Sequence, residues 1–185
     1  MAHGRPKERM LRTVIWREGS VSLLDQTRLP TRLVYIRCRK HKDIVKAIKN
    51  MVVRGAPAIG ISAAFGLALA ASNSRAKNPT NLMKELDTAY WELRSTRPTA
   101  INLFWGLDRV MNKAKTGTNI QEIKDKVIDE AKKIAQEDIQ NNMTLGLNGS
   151  KLLYDGDVVI THCNAGALAT SAYGSFVPQR KQVRA

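Results

Sequence analysis

Chemistry in this sequence concentrates in three short stretches. The first is "THCNAG", residues 161–166, which sets His162, Cys163 and Asn164 between an apolar run and a turn of small residues. A thiol at the carboxyl end of a parallel strand, just ahead of a helix, stands where open α/β sheets bind their ligands. The helix dipole there favours the thiolate, the form that acts as nucleophile or base. The alternative is a buried structural cysteine, since Cys is among the most buried residue types. His162 points to the other side of such a strand, so the spacing implies no Cys-His pair.

The other two stretches carry arginine at a helix entrance. Arg54-Gly55-Ala56-Pro57 puts a guanidinium and a flexible glycine before an apolar helix, and "STRPTAINLFWG", residues 95–106, puts Arg97 before Pro98. Free N–H groups and the positive end of the dipole make a helix start an anion site, so the two arginines could converge on one phosphate. Alternatively the first is a plain connection, and each arginine pairs with a surface carboxylate. His3 and His41 lie in basic surroundings and are not marked as ligands. Cys38 and Cys163 are far apart, with no CxxC, so neither a disulfide framework nor a metal site is expected; a reducing, cytoplasmic setting follows by default.

These groups need elements to hold them. Residues 13–16, 21–25 and 33–38 are β-prone runs punctuated by Glu18-Gly19 and Leu29-Pro30-Thr31, which predicts a small antiparallel meander. Helical spacing follows: Ile44, Ala47, Ile48, Met51 and Val52 form one stripe, and Pro57 starts a second helix at a position where its missing N–H costs nothing. Thr80 is the predicted cap of a third helix, carrying Leu82, Leu86, Ala89, Tyr90 and Leu93. Pro98 opens a fourth, with Leu103, Leu107, Val110 and Met111. Asn119 and Glu122 make a capping box for a long fifth, which buries Ile123, Val127, Ala131 and Ile134. At "NGSKLLYDGD" the pattern changes, and residues 158–161 read as a strand buried on both faces. The expected architecture is therefore α+β, a β-meander plus helical bundle over residues 1–150, followed by residues 151–185 as the first βα unit of an incomplete Rossmann-like α/β domain. The unfinished sheet leaves the segment after residue 150 without partners, and the polar, basic ending from Ser175 reads as a truncated or frameshifted tail.

Composition narrows the classes. The chain has 185 residues, 43% hydrophobic and 25% charged, as in a globular protein. A net charge of +14 invites a nucleic-acid reading. Its distribution speaks against one: seven Lys/Arg face Asp43 alone in residues 32–49, residues 113–140 are balanced, and no basic stripe is interleaved with aromatics. A solvated basic face and an anionic substrate account for the charge. Residues 56–72 are apolar mainly through Ala and Gly, which predicts a packed internal helix rather than a membrane span.

Four segments together resemble the methylthioribose-1-phosphate isomerase family: "LLDQTRLP" (23–30), "MVVRGAPAIGISAAFGLALAA" (51–71), "TRPTAINLFWGLDR" (96–109) and "GDVVITHCNAGALAT" (156–170). Archaeal ribose-1,5-bisphosphate isomerases share the Arg-Gly-Ala, Arg-Pro-Thr-Ala and Thr-His-Cys elements but generally lack the "LLDQTRLP" hairpin and the Asn-x-Gly-Ala-Leu-Ala-Thr turn. The non-catalytic, partner-binding regulatory subunits of the translation-initiation exchange factor share the fold but not this set of Arg and Cys. The resemblance implies an aldose-ketose isomerisation of 5-methylthioribose 1-phosphate to 5-methylthioribulose 1-phosphate, in methionine salvage. It implies Cys163 as catalytic residue and Arg54, Gly55, Ala56 and Arg97 as substrate-binding residues, with no metal or organic cofactor. It further implies a cytoplasmic homodimer when full length and a general-acid Asp in the second half of the C-terminal domain. Ala165 departs from the family's usual Thr.

Overall fold

The computed structural model describes residues 11–154 and 156–174. The amino-terminal arm as far as residue 10 and the tail from residue 175 lie outside the described residues. Three short strands open the chain: β1 (Val14–Arg17), β2 (Ser20–Leu24) and β3 (Tyr35–Cys38), paired antiparallel in the order β1-β2-β3. The expected meander is therefore present. Arg17 pairs with Ser20, which leaves Glu18 and Gly19 as a two-residue turn, both at positive φ (47° and 68°). Such a turn matches the twist of the strands it joins.

Five helices follow: α1 (His41–Lys49), α2 (Ala56–Asn73), α3 (Pro79–Arg94), α4 (Ile101–Ala114) and α5 (Ile120–Gly149). The predicted stripes face the core, with Ile44, Leu82, Leu86, Leu93, Leu103, Leu107 and Val127 fully enclosed. α2 is the hub. It is buried on nearly all sides by the other four helices, and Trp16 of β1 stacks on its Phe65 at 5.5 Å between ring centroids. Its Ala and Gly content serves that position. A Cβ on Gly60 would lie 2.5 Å from the Asn102 carbonyl oxygen, and one on Gly106 would lie 2.7 Å from the Gly60 carbonyl oxygen, so α2 and α4 cross in backbone contact. By length and composition α2 could cross a membrane; here it is the enclosed core helix.

Several boundaries differ from the periodic reading. α3 is capped by Asn78, whose side chain accepts from Asn81 N–H at 2.8 Å, rather than by Thr80. α4 begins at Ile101, not Pro98, because Ala100 N–H bonds back to Arg97 in a turn and Ala100 itself stays non-helical. Asn119 caps α5 as expected, but the Glu122 carboxylate closes on the Thr118 N–H and hydroxyl instead of on its cap residue. Met51 lies beyond the end of α1, at φ 57° and exposed.

The largest departure is the expected βα unit. Residues 158–161 form no strand, and Val158 and Ile160 are 91% and 93% exposed. A strand exists only where a neighbour takes its N–H and C=O groups, and among the described residues no strand lies beside this one. Nor does a helix follow Cys163: a three-residue 3-10 turn, Ala167–Ala169, stands there. That turn does have partners, contrary to the expectation for everything after residue 150. Ala169, Thr170, Ser171 and Ala172 are buried against the body of the molecule.

Candidate functional site

α2 starts at Gly55, whose φ of 91° is open to glycine and strained for other residues. A side chain there would also collide with the backbone of Ala169. The Arg54-Gly55-Ala56 entrance and the turn that follows Cys163 are thus in direct contact, although more than a hundred residues separate them. Glycine at position 55 serves both the bend into the helix and the close approach of the second segment.

Hydrogen bonds from several elements also hold the turn. The Thr13 hydroxyl donates to the Ala167 carbonyl at 2.7 Å, and the Gln26 amide donates to the Leu168 carbonyl at 2.8 Å. The backbone N–H groups of Thr13 and Val14 share the Ser171 carbonyl at 2.8 and 3.2 Å. Opposite them, Ser171 N–H donates to the Asp138 carboxylate of α5 at 2.7 Å, which also accepts from the Asn142 amide at 3.0 Å. Burial pushes the Asp138 carboxyl above its ordinary range, and these two donors draw it back only in part. Strand β1, the loop after β2, the entrance of α2 and the middle of α5 therefore meet at one short turn.

Cys163 is exposed, with its backbone in the left-handed region at φ 63°. Because no helix follows it, the helix-dipole argument for its thiolate does not apply to this arrangement. Cys38 is the opposite case: buried in β3, its thiol is pushed up to about 12 by desolvation and by Asp43. Arg54 is exposed and Arg97 half-buried. Among the described residues neither side chain hydrogen-bonds or pairs with a carboxylate. By contrast, Arg94 lies 3.8 Å from Asp108 and 4.1 Å above the Phe104 ring, while Arg109 joins Glu130 and Glu137 at 2.6 and 2.5 Å. A crevice of about 210 Å³ opens where α2, α4 and α5 meet, lined by Pro57, Asn102, Trp105, Ile134, Glu137 and Asp138. No group of three or more His, Cys, Asp or Glu suited to a metal occurs among the described residues.

Three residues at this junction carried no chemical signal in the sequence: Thr13, Gln26 and Asp138. A clue existed for the last, since Val127, Ala131, Ile134, Asp138 and Asn142 continue a single helical stripe and bring a carboxylate to the edge of the core. Across these stretches the chain offers two arginines without carboxylate partners among the described residues, a helix entrance whose first N–H groups have no partner within the helix, and an exposed thiol on the same segment as the docked turn.

Known proteins resemble the chain closely. The family model described as Initiation factor 2 subunit family matches residues 52–184. A putative methylthioribose-1-phosphate isomerase of Methanocaldococcus jannaschii is 50% identical over 167 residues, covering 89% of this chain and 46% of that protein. Methylthioribose-1-phosphate isomerase 1 of Pseudothermotoga lettingae is 46% identical, with 88% and 47% covered. Among solved structures, 5-methylthioribose 1-phosphate isomerase from Pyrococcus horikoshii superposes with a TM-score of 0.83 at 43% identity, over 88% of this chain and 46% of that one. A translation initiation factor eIF-2B, subunit delta, from A. fulgidus gives 0.81 at 45%, over 89% and 48%. The chain spans about half the length of the relatives it matches.

Proposed function

Since the chain belongs to the Initiation factor 2 subunit family and resembles isomerases of that family at 42–50% identity, we propose that it supplies the N-terminal half of a methylthioribose-1-phosphate isomerase. The observation that supports the reading is the contact between Gly55, in the Arg54-Gly55-Ala56 helix entrance, and Ala169, six residues after Cys163, which docks the chain following one chemically suggestive stretch onto another. In this reading Arg54, Arg97 and the N–H groups at the start of α2 bind the substrate phosphate, with Gly55 and Ala56 giving it close access to the backbone. The phosphate sits on the anomeric carbon, so the sugar ring opens while the phosphate stays attached. Cys163 then moves a proton during the aldose-to-ketose conversion, with an Asp of the second half as its acid partner. Residues up to about 150 form the first domain, and residues from 151 begin a Rossmann-like second one, in which 158–161 becomes a strand once neighbours are present. The enzyme works as a cytoplasmic homodimer on a small sugar phosphate, without a cofactor.

The test is a chimera that joins residues 1–174 to the second half of the M. jannaschii relative, assayed with 5-methylthioribose 1-phosphate. Turnover is expected, and Cys163→Ala should abolish it with the fold intact. Arg54→Ala or Arg97→Ala should weaken substrate binding at least about tenfold, the equivalent of one charge-assisted hydrogen bond. Wild-type turnover in Cys163→Ala, or unchanged affinity in both arginine variants, would remove those residues from the mechanism. A second reading, a non-catalytic partner-binding subunit, draws on the likeness to the A. fulgidus protein. A folded chimera without turnover that co-purifies with a partner subunit would favour it.

A further inference from the structure

We infer that Asp138 is a positioning residue: from α5 it holds the turn that follows Cys163 against the entrance of α2, and so sets where that cysteine stands. The inference rests on the isomerase reading for its purpose, but not for its geometry. The turn's other ties are neutral: the Thr13 hydroxyl, the Gln26 amide, the paired N–H groups of Thr13 and Val14, the Ser171 hydroxyl on the Val14 carbonyl, and the fit of Ala169 over Gly55. Only the tie from Asp138 to Ser171 N–H, at 2.7 Å, involves a full charge, and bonds of that kind are roughly twice as strong as neutral ones.

The choice of residue is what requires explanation. Asp138 lies on the α5 stripe four residues beyond Ile134 and four before Asn142, half-buried at the crevice between α2, α4 and α5, where its carboxylate is partly desolvated. Among the described residues no Lys or Arg pairs with it, so no ion pair compensates its burial. Its two oxygens divide between a backbone N–H of the turn and the Asn142 amide, which orients the carboxylate from one helical turn further along. A half-buried acid without a cation among the described residues, braced by its own helix and aimed at one amide of a distant segment, gives up hydration and specifies position. The segment it specifies carries Cys163 eight residues earlier, with Gly166 between them at the amino end of the turn.

The test uses the chain itself. A nitroxide on the exposed Cys163 is paired with one on Lys84→Cys, an exposed position of α3; Cys38 is buried and stays unlabelled. The distance distribution between the labels is read by pulsed electron resonance, beside amide exchange at Ala169 to Ser171. Asp138→Ala is expected to broaden the distribution and to speed Ser171 exchange at least about tenfold, while exchange in α2 and α4 stays as it was. Asp138→Asn, which keeps an acceptor oxygen, should restore most of both. An unchanged distribution in Asp138→Ala accompanied by a lower unfolding midpoint would reduce Asp138 to a structural role and overturn the inference. Should Asp138→Ala not fold, the wild-type chain still decides: a broad Cys163 distribution together with an unprotected Ser171 amide would overturn it as well. Neither readout depends on turnover, so failure of the isomerase reading in the chimera is a separate result.

Discussion

Ile59 and Ile61 in α2 are 4% and 2% exposed; Val158 and Ile160, no less apolar, are 91% and 93% exposed. The two regions differ in neighbours rather than in composition. α2 has four helices and a strand around it, and each contributes side chains or backbone at close range. Residues 158–161 have no adjacent strand among the described residues, and extended backbone without a ladder gains nothing by leaving water. Ten residues later the chain is buried again, because the turn at Ala167–Ala169 finds Thr13, Gln26, Gly55 and Asp138 waiting. Burial in this molecule follows the supply of partners.

The sharpest way to break the comparison is through its two thiols. At pH 8 a thiol with a pKa of about 12 is ionised in roughly one molecule in ten thousand, and Cys38 is also enclosed. Iodoacetamide should therefore modify one cysteine per folded chain, Cys163, with Cys38 reacting only after denaturation. Peptide mass mapping reads this directly, and rapid alkylation of Cys38 would contradict the enclosed core. Next in size is Leu107→Ala, which empties a fully buried site on α4 and should cost about 2 to 5 kcal/mol in urea unfolding.

Gly106→Ala tests the backbone contact between α2 and α4. The added methyl meets the Gly60 carbonyl, which a flexible side chain cannot relieve by moving, so a loss of about 1 to 3 kcal/mol is expected. Glu122 at the start of α5 gives a smaller, pH-dependent effect. Hydrogen bonds from Lys126 and from Thr118 hold its carboxyl down from 4.5 to about 2. A carboxyl whose folded value is depressed stabilises the fold above its unfolded value and loses that contribution as pH falls. The helix start should thus loosen between about pH 4.5 and 2, and the carbon resonance of Glu122 should titrate near 2 in wild type but higher in Lys126→Ala. Smallest of all is Ile160→Ser, which should change stability by no more than about 0.5 kcal/mol because the side chain it removes is already in water. A larger loss would mean that residues 158–161 are packed after all.

Legibility varied along the chain for identifiable reasons. The meander and the helical stripes could be read because alternation and 3.6-residue spacing are local patterns, and local patterns survive whatever packs against them. Helix starts are less legible. Asn78 displaced Thr80, and the turn at Arg97 to Ala100 delayed α4, since capping depends on which side chain reaches a free N–H. The apolar run at residues 158–161 predicts a buried strand, but a run of that kind only permits one. As for the candidate site, Cys163, Arg54 and Arg97 were visible as residue types beside turns, whereas the anchors Thr13, Gln26 and Asp138 looked like ordinary strand, loop and helix residues.

By itself the sequence determined the order and kind of the elements up to residue 149, the apolar hub formed by α2, and the three stretches able to do chemistry. Those follow from side-chain size, charge and period, properties each residue carries with it. Only the tertiary structure decided that the turn after Cys163 docks on Gly55, that a carboxylate on α5 faces its backbone, and that residues 158–161 remain in water. Each of these depends on whether a second group stands within a few ångströms. Hydrogen bonds and close packing fall off over that distance, so no pattern along a single stretch of chain can declare them.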